Sequence, residues 1–227
     1  MNDDAPPPSA ASYRVAVRER RWLAPGTFEL QLERPPGFRF VAGQFLRVRH
    51  GKAWRNYTLV GGPDDDYLAH CIRHVDAGFL TPRLAAAEPG AQIEIDGPHG
   101  YFVYQSQERP AIFVATGTGV APFVAMARAG IRDFTLLHGV ATAAELYYAE
   151  LFSAGALRYV PCVSGDNSAS RSPAPVFAGR VTAYARERIA GGPYDFYLCG
   201  RGEMIREMMA LIDERFPDSR VYTEMFF

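Results

Sequence analysis

The stretch Pro110–Gly130, PAIFVATGTGVAPFVAMARAG, is the passage on which the fold turns. Its length and apolarity invite a membrane-spanning reading, but TGTG occupies the middle and Arg128 interrupts the end. Breaking the run at its glycines predicts a short buried strand over 111–115, a turn, and a helix from about Val120. The rest of the chain after Gln105 repeats that texture. Strand candidates AIFVA, FTLLH, LRYVPCV, DFYLCG and RVYTE alternate with helical stretches VAPFVAMARA, AAELYYAELF, RVTAYARERIA and RGEMIREMMALIDERF. Such alternation predicts a parallel sheet with crossover helices, doubly wound. SGDNSASRSPAPVFAG, from Ser164 to Gly179, reads as a Ser/Pro-rich loop at its edge.

Toward the N-terminus the texture differs. From Ser12 to Val103 short β-rich runs (SYRVAVRERRWLA, TFELQLERP, QFLRVRH, AWRNYTLVGG, YLAHCIRHV, AQIEIDGP) are separated by Pro, Gly and Asp clusters, with one helix, LTPRLAAAE. This spacing predicts a small antiparallel β-barrel or sandwich. The expected organisation is a disordered tail over 1–11, an antiparallel β-barrel domain over 12–104, and a doubly wound parallel-sheet nucleotide-binding domain over 105–227.

Composition excludes several functions. The 24 basic and 25 acidic residues give a formal charge of −1, which provides no global field for nucleic acid or an anionic membrane. Cys71, Cys162 and Cys199 are far apart with no CxxC pair, which argues against a metal site or a disulfide framework. MNDDAPPPSAAS lacks the basic start and apolar stretch of a signal peptide, so a reducing cytoplasm is expected.

Four segments could carry chemistry. ATGTGVAP, Ala115 to Pro122, follows a buried strand and opens a helix, where free N–H groups and the helix dipole suit a pyrophosphate. A plain tight turn is the other reading of an isolated GTG. DFYLCGRGEM places Cys199 and Gly200 at a second strand end and Met204 in the next helix. In AGFLTPRLAAAEPG, Thr81 is positioned to cap a short helix whose amides could bind phosphate. In AWRNYTLVGG, Arg55 and Tyr57 share one side of a strand, which suits a ligand with a charged part and a flat part.

RNYT at Arg55–Thr58, GFLTPRLAAAEPG at Gly78–Gly90, GPHGYF at Gly97–Phe102, ATGTGVAP, YLCGRGEM at Tyr197–Met204 and the final EMFF occur in the order of the ferredoxin-NADP reductase superfamily. The chain resembles its bacterial ferredoxin/flavodoxin-NAD(P) reductases most. The resemblance implies FAD as cofactor and NAD(P)H as cosubstrate. Arg55 would pair with the FAD pyrophosphate, Tyr57 would stack on the isoalloxazine, and Thr58 would lie near flavin N5. Gly78, Leu80 and Thr81 would cradle the FAD phosphates, and Ile72, Arg73 and His74 would contact the flavin edge. Thr116 would touch both cofactors. Gly117, Gly119, Pro122, Arg180, Cys199, Gly200 and Met204 would serve the nicotinamide nucleotide. Thr58, Cys199 and Glu224 would form the catalytic set, with Glu224 supplying a proton or placing the nicotinamide. Phe226 and Phe227 would cover the flavin or its adenine and block nicotinamide until displaced.

The family's NADPH-specific members use arginines where this chain has Ala141 and Gly165, and Asp166 would repel a 2′-phosphate. NADH is therefore favoured, with Arg171 and Arg180 as possible substitute cations. No CxxxxCxxC is present, so a separate ferredoxin or flavodoxin is the expected partner of a monomer. Arg18, Arg20, Arg21, Arg47, Arg49 and Lys52 are candidate docking cations, with Glu19 interrupting the first run. The alternatives are an NAD(P)H:flavin reductase, an FAD-containing electron-transfer subunit of a larger oxygenase or dehydrogenase system, and a non-catalytic nucleotide-binding module.

Overall fold

The computed structural model describes residues 12–105, 108–165 and 172–226; the N-terminal tail expected over 1–11 lies outside them. Six strands form the first half: β1 (Ser12–Ala24), β2 (Thr27–Glu33), β3 (Phe45–His50), β4 (Ala53–Thr58), β5 (Tyr67–Arg73) and β6 (Gln92–His99). They make one antiparallel sheet in the order β4-β3-β6-β1-β2-β5. The two edge strands meet just past β4, where Leu59 bridges His70 and the Val60 N–H donates to the Ala69 carbonyl at 2.8 Å. That contact closes the barrel and removes both exposed edges. Helix α1 (Thr81–Ala85) follows buried Leu80 and puts Leu84 and Ala85 into the barrel core.

Strands β2 and β5 are buried on both faces, which a period-two reading with one wet face does not anticipate. Phe28, Leu30, Leu32, Leu68 and Ile72 fill the barrel. Thr27, Glu29, Ala69 and Cys71 point the other way, into the seam with the second half.

The second half is a parallel sheet of β7 (Ala111–Thr116), β8 (Phe134–Val140), β9 (Arg158–Val163), β10 (Phe177–Ala178), β11 (Asp195–Arg201) and β12 (Arg220–Phe226). Its order is β10-β9-β8-β7-β11-β12, so the strand order reverses between β7 and β11. Helices α2 (Ala121–Arg128) and α3 (Ala149–Gly155) cover one face; α4 (Val181–Arg188) and α5 (Gly202–Arg215) cover the other. Among the described residues no helix is long and apolar enough to cross a membrane.

Three expectations need correction. AAELYYAELF is not one helix: a 3₁₀ turn at Ala143–Glu145 is followed by Tyr148 in the left-handed region (φ 59°), and only then by α3. The break lets both tyrosines reach the barrel, because neighbours in a helix point about 100° apart. The Thr27 hydroxyl donates to the Tyr147 oxygen (3.2 Å), and the Tyr148 hydroxyl donates to Glu29 (2.9 Å). Second, Thr81 does not cap α1. It is the first helical residue, and its hydroxyl accepts from the Val75 N–H and donates to the Val75 carbonyl. Third, the loop ending at Gly179 contributes the two-residue edge strand β10.

Candidate functional site

A cleft of about 1080 Å³ opens between the barrel and the carboxyl ends of β7 and β11. This is where an open α/β sheet presents a ligand site, at the reversal of strand order. Its barrel wall is Trp54 to Thr58 of β4, Ile72 and Arg73 of β5, and the Gly78–Thr81 turn. The opposite wall is Thr116 to Thr118, Gly139 to Ala141, Arg180, Gly200, Arg201 and Met204; Glu224, Met225 and Phe226 close one end.

On β4, Arg55 is exposed and its guanidinium donates to the Trp54 carbonyl at 3.0 Å. Among the described residues no carboxylate pairs with it. Tyr57 is half-buried, and burial pushes its hydroxyl up to about 12, with Arg55 pulling the other way. Thr58 is buried beside Glu224. Burial pushes the Glu224 carboxyl up to about 7, and hydrogen bonding to Thr58 offsets part of that rise. Its Oε2 is buried with no hydrogen-bond partner. Cys199 lies opposite Glu224 in the β11–β12 register; burial, and then the Glu224 charge, hold its thiol well above the ordinary value, so it stays neutral.

On the far wall, Gly117 is left-handed (φ +54°), and a Cβ there would meet nothing within 4 Å. The backbone is bare toward the cleft. A Cβ on Gly200 (φ +134°) would sit 2.2 Å from Thr116 Oγ1, which itself accepts from the Arg201 N–H at 2.9 Å. The unpaired guanidinium, the bare glycine turn and the orphaned carboxyl oxygen fit a bound dinucleotide and a stacked redox ring.

The oxidoreductase FAD-binding domain family matches residues 24–104, and the oxidoreductase NAD-binding domain family matches residues 113–209. The chain belongs to the FAD- and NAD-binding reductases of the ferredoxin-NADP reductase superfamily. The chain is 28% identical to the toluate 1,2-dioxygenase electron transfer component of Pseudomonas putida, over 89% of this chain and 63% of that one. It is 28% identical to the flavodoxin/ferredoxin–NADP reductase of Escherichia coli, over 76% of this chain and 78% of that one. The crystal structure of the cytochrome P450 reductase GcoB of Amycolatopsis superposes with a TM-score of 0.80 at 27% identity, covering 99% of this chain and 73% of that one. The chain thus spans less than two thirds of the length of the toluate component.

The fold gathers most of the predicted site residues in this one cleft: Arg55, Tyr57, Thr58, Ile72, Arg73, Gly78, Leu80, Thr81, Thr116, Gly117, Arg180, Gly200, Met204, Glu224 and Phe226. Four are placed elsewhere. His74 turns away, its ring edge-on to Trp22 (6.0 Å) and paired with Asp76 at 3.2 Å. Gly119 and Pro122 are buried behind the turn, where a Cβ on Gly119 would lie 2.5 Å from the Cys199 carbonyl. The Cys199 side chain is in the core beneath the cleft. Phe227 lies outside the described residues, as do Asp166 and Arg171.

The arginines among the candidate docking cations have partners within the fold. Arg18 pairs with Asp66, Arg21 with Glu29, Arg47 with Asp96 and Arg49 with Glu94, while Arg20 donates to the Ala85 carbonyl. These pairs offset part of the local positive charge while the arginines stay partly exposed, and no local pattern shows them, because each partner comes from another strand or turn. Two wall residues escaped the sequence reading. Trp54 lies within cation–π range of both Arg47 (5.5 Å) and Arg49 (5.7 Å), and Phe79 stands 70% exposed. The latter signal was present in GFLTPRL, as a large apolar residue in a polar turn.

Proposed function

We propose that the protein is an FAD-dependent reductase that takes a hydride from NAD(P)H and passes electrons singly to a separate carrier, with residues 12–104 holding FAD and 105–227 holding the nucleotide. The convergence of Arg55, Tyr57, Thr58 and a Glu224 carboxyl whose Oε2 has no partner on one cleft facing Gly117 and Gly200 carries this reading. FAD, when bound, accepts electrons in pairs and releases them one at a time. The chain's own residues do the rest. The Arg55 guanidinium forks onto the pyrophosphate, and the Tyr57 ring supplies a flat apolar face. Gly117 lets the second dinucleotide approach the backbone, and Phe226 covers the ring until nicotinamide displaces it. Glu224 holds a proton at Oε2 beside Thr58 near neutral pH. The toluate relative, named an electron transfer component, supports a second version in which the carrier belongs to an oxygenase system.

Arg55→Ala should weaken FAD binding about ten- to hundred-fold, the worth of a charge-assisted contact. Flavin fluorescence titration of the apoprotein measures it. Undiminished affinity refutes the pyrophosphate role.

For the coenzyme, Arg180 is held 3.6 Å from Glu207, and Glu145, Glu203 and Glu207 line that end of the cleft beside Ala141. Three acids, one of them beside Arg180, suit a ribose hydroxyl better than a 2′-phosphate. We expect kcat/KM for NADH to exceed that for NADPH about ten-fold. Anaerobic titration with each coenzyme, followed by candidate ferredoxins and flavodoxins, tests the function as a whole. Bound flavin that fails to bleach with either coenzyme refutes it.

A further inference from the structure

His70 of β5 is fully buried, on the face of the strand that sends Leu68 and Ile72 into the barrel core. Its Nδ1 lies 3.1 Å from the Thr58 carbonyl. A carbonyl can only accept, so Nδ1 donates and carries the proton. Burial pushes the ring down to about 4, which keeps it neutral at working pH. Nε2 is left buried without a hydrogen-bond partner, a cost that a leucine among the same apolar neighbours would not incur. What Nδ1 does must account for the polar ring. The Leu59 N–H donates to the Gln44 carbonyl at 3.0 Å, on the β3 side, so the Thr58 carbonyl of the same trans peptide unit points the other way, toward β5. Gln44 and His70 thus hold one peptide plane from both sides. That plane directs the Thr58 side chain, which hydrogen-bonds Glu224, and the His70 ring meets the Tyr57 ring edge-on with centroids 6.3 Å apart.

Resting on the reductase reading, in which Tyr57 and Thr58 meet the flavin, we infer that His70 is a positioning residue for hydride transfer: its Nδ1–H locks the Thr58 peptide, and with it the alignment of the Thr58 hydroxyl, the Tyr57 ring and the Glu224 carboxyl. His70 belongs to the barrel side of the cleft, opposite the wall that carries Gly117 and Gly200. Its effect therefore falls on the reacting end and not on capture of the nicotinamide nucleotide.

The experiment is anaerobic stopped-flow bleaching of the FAD-loaded protein by whichever of NADH and NADPH reduces wild type faster, for wild type, His70→Asn, His70→Gln and His70→Leu, with a thermal melt of each. The asparagine amide nitrogen takes the place of Nδ1 and can donate to Thr58; the glutamine amide sits one bond further out, and leucine has no donor. His70→Gln and His70→Leu should bleach about ten-fold more slowly with the half-saturating coenzyme concentration unchanged, while His70→Asn stays within about two-fold of wild type. Packing alone gives the opposite order, because asparagine leaves the largest cavity and should melt lowest. Bleaching rates that follow the melting temperatures would overturn the inference and leave His70 a core residue only. So would a glutamine variant as fast as the asparagine one, a loss confined to coenzyme affinity, or asparagine and glutamine variants that both fail to fold. A wild-type flavin that neither coenzyme bleaches would overturn the reductase reading as well.

Discussion

Glu224→Gln should lower turnover about a hundred-fold while making the protein more stable at pH 8. Both effects come from one cause, a carboxyl taken out of water beside Thr58 and held near 7 by burial. In the wild type the protonated fraction drops about ten-fold between pH 6 and pH 8, and turnover with an artificial acceptor in excess should follow it. The amide cannot ionise, so the variant's profile should be flat across that range. The sign for stability is the reverse. The unfolded chain releases this proton near 4.5 and the native state only near 7, so the native state binds more protons between those values. Stability therefore falls as pH rises through that window and is lowest above it. Removing the buried charge should return about 2 kcal/mol at pH 8, a rise in Tm of about 5 °C by calorimetry. A variant with a wild-type pH profile, or one less stable at pH 8, contradicts this account.

Gly119→Ala should be the most damaging small substitution in the nucleotide half. The added methyl would lie 2.5 Å from the Cys199 carbonyl oxygen and 2.6 Å from Gly200 Cα, both of them backbone on the neighbouring strand. No rotamer relieves such a clash; the 3₁₀ turn that follows β7 (Gly117–Val120) must lift away from β11. About 3 kcal/mol of stability should be lost, with NADH KM raised ten-fold or more because the Thr116–Arg201 tether spans the same point. Urea denaturation and steady-state kinetics measure the two effects. Wild-type values for both would show that the turn can lift off β11 freely.

The division into a β-rich half and an alternating half was legible because each has its own period, and because glycine punctuates at strand ends. The walls of the cleft were legible for a related reason. Arg55 and Tyr57 break the apolar alternation of their strand, and TGTG breaks an otherwise continuous apolar run. What stayed hidden depends on residues distant in sequence. The break at Tyr148 exists because Glu29, on a barrel strand, draws its hydroxyl. The arginines of β1 and β3 look like a basic surface until Asp66, Glu29, Asp96 and Glu94 are brought beside them. Gly119 and Pro122 belong to a phosphate-binding pattern in sequence, yet they pack behind the turn, because the same motif must join strand to helix.

The two-faced burial of β2 and β5 limits how this molecule moves. Each strand contributes to the barrel interior with one face and to the seam with the other, where Tyr148 reaches Glu29 and the Arg128 guanidinium donates to the Val60 carbonyl. Hinge bending between the halves would strip apolar surface and unpair buried hydrogen bonds at once. On the proposed reading, nicotinamide would then be admitted by displacement of the aromatic end of β12, where Phe226 lines the cleft, and not by the parting of two domains.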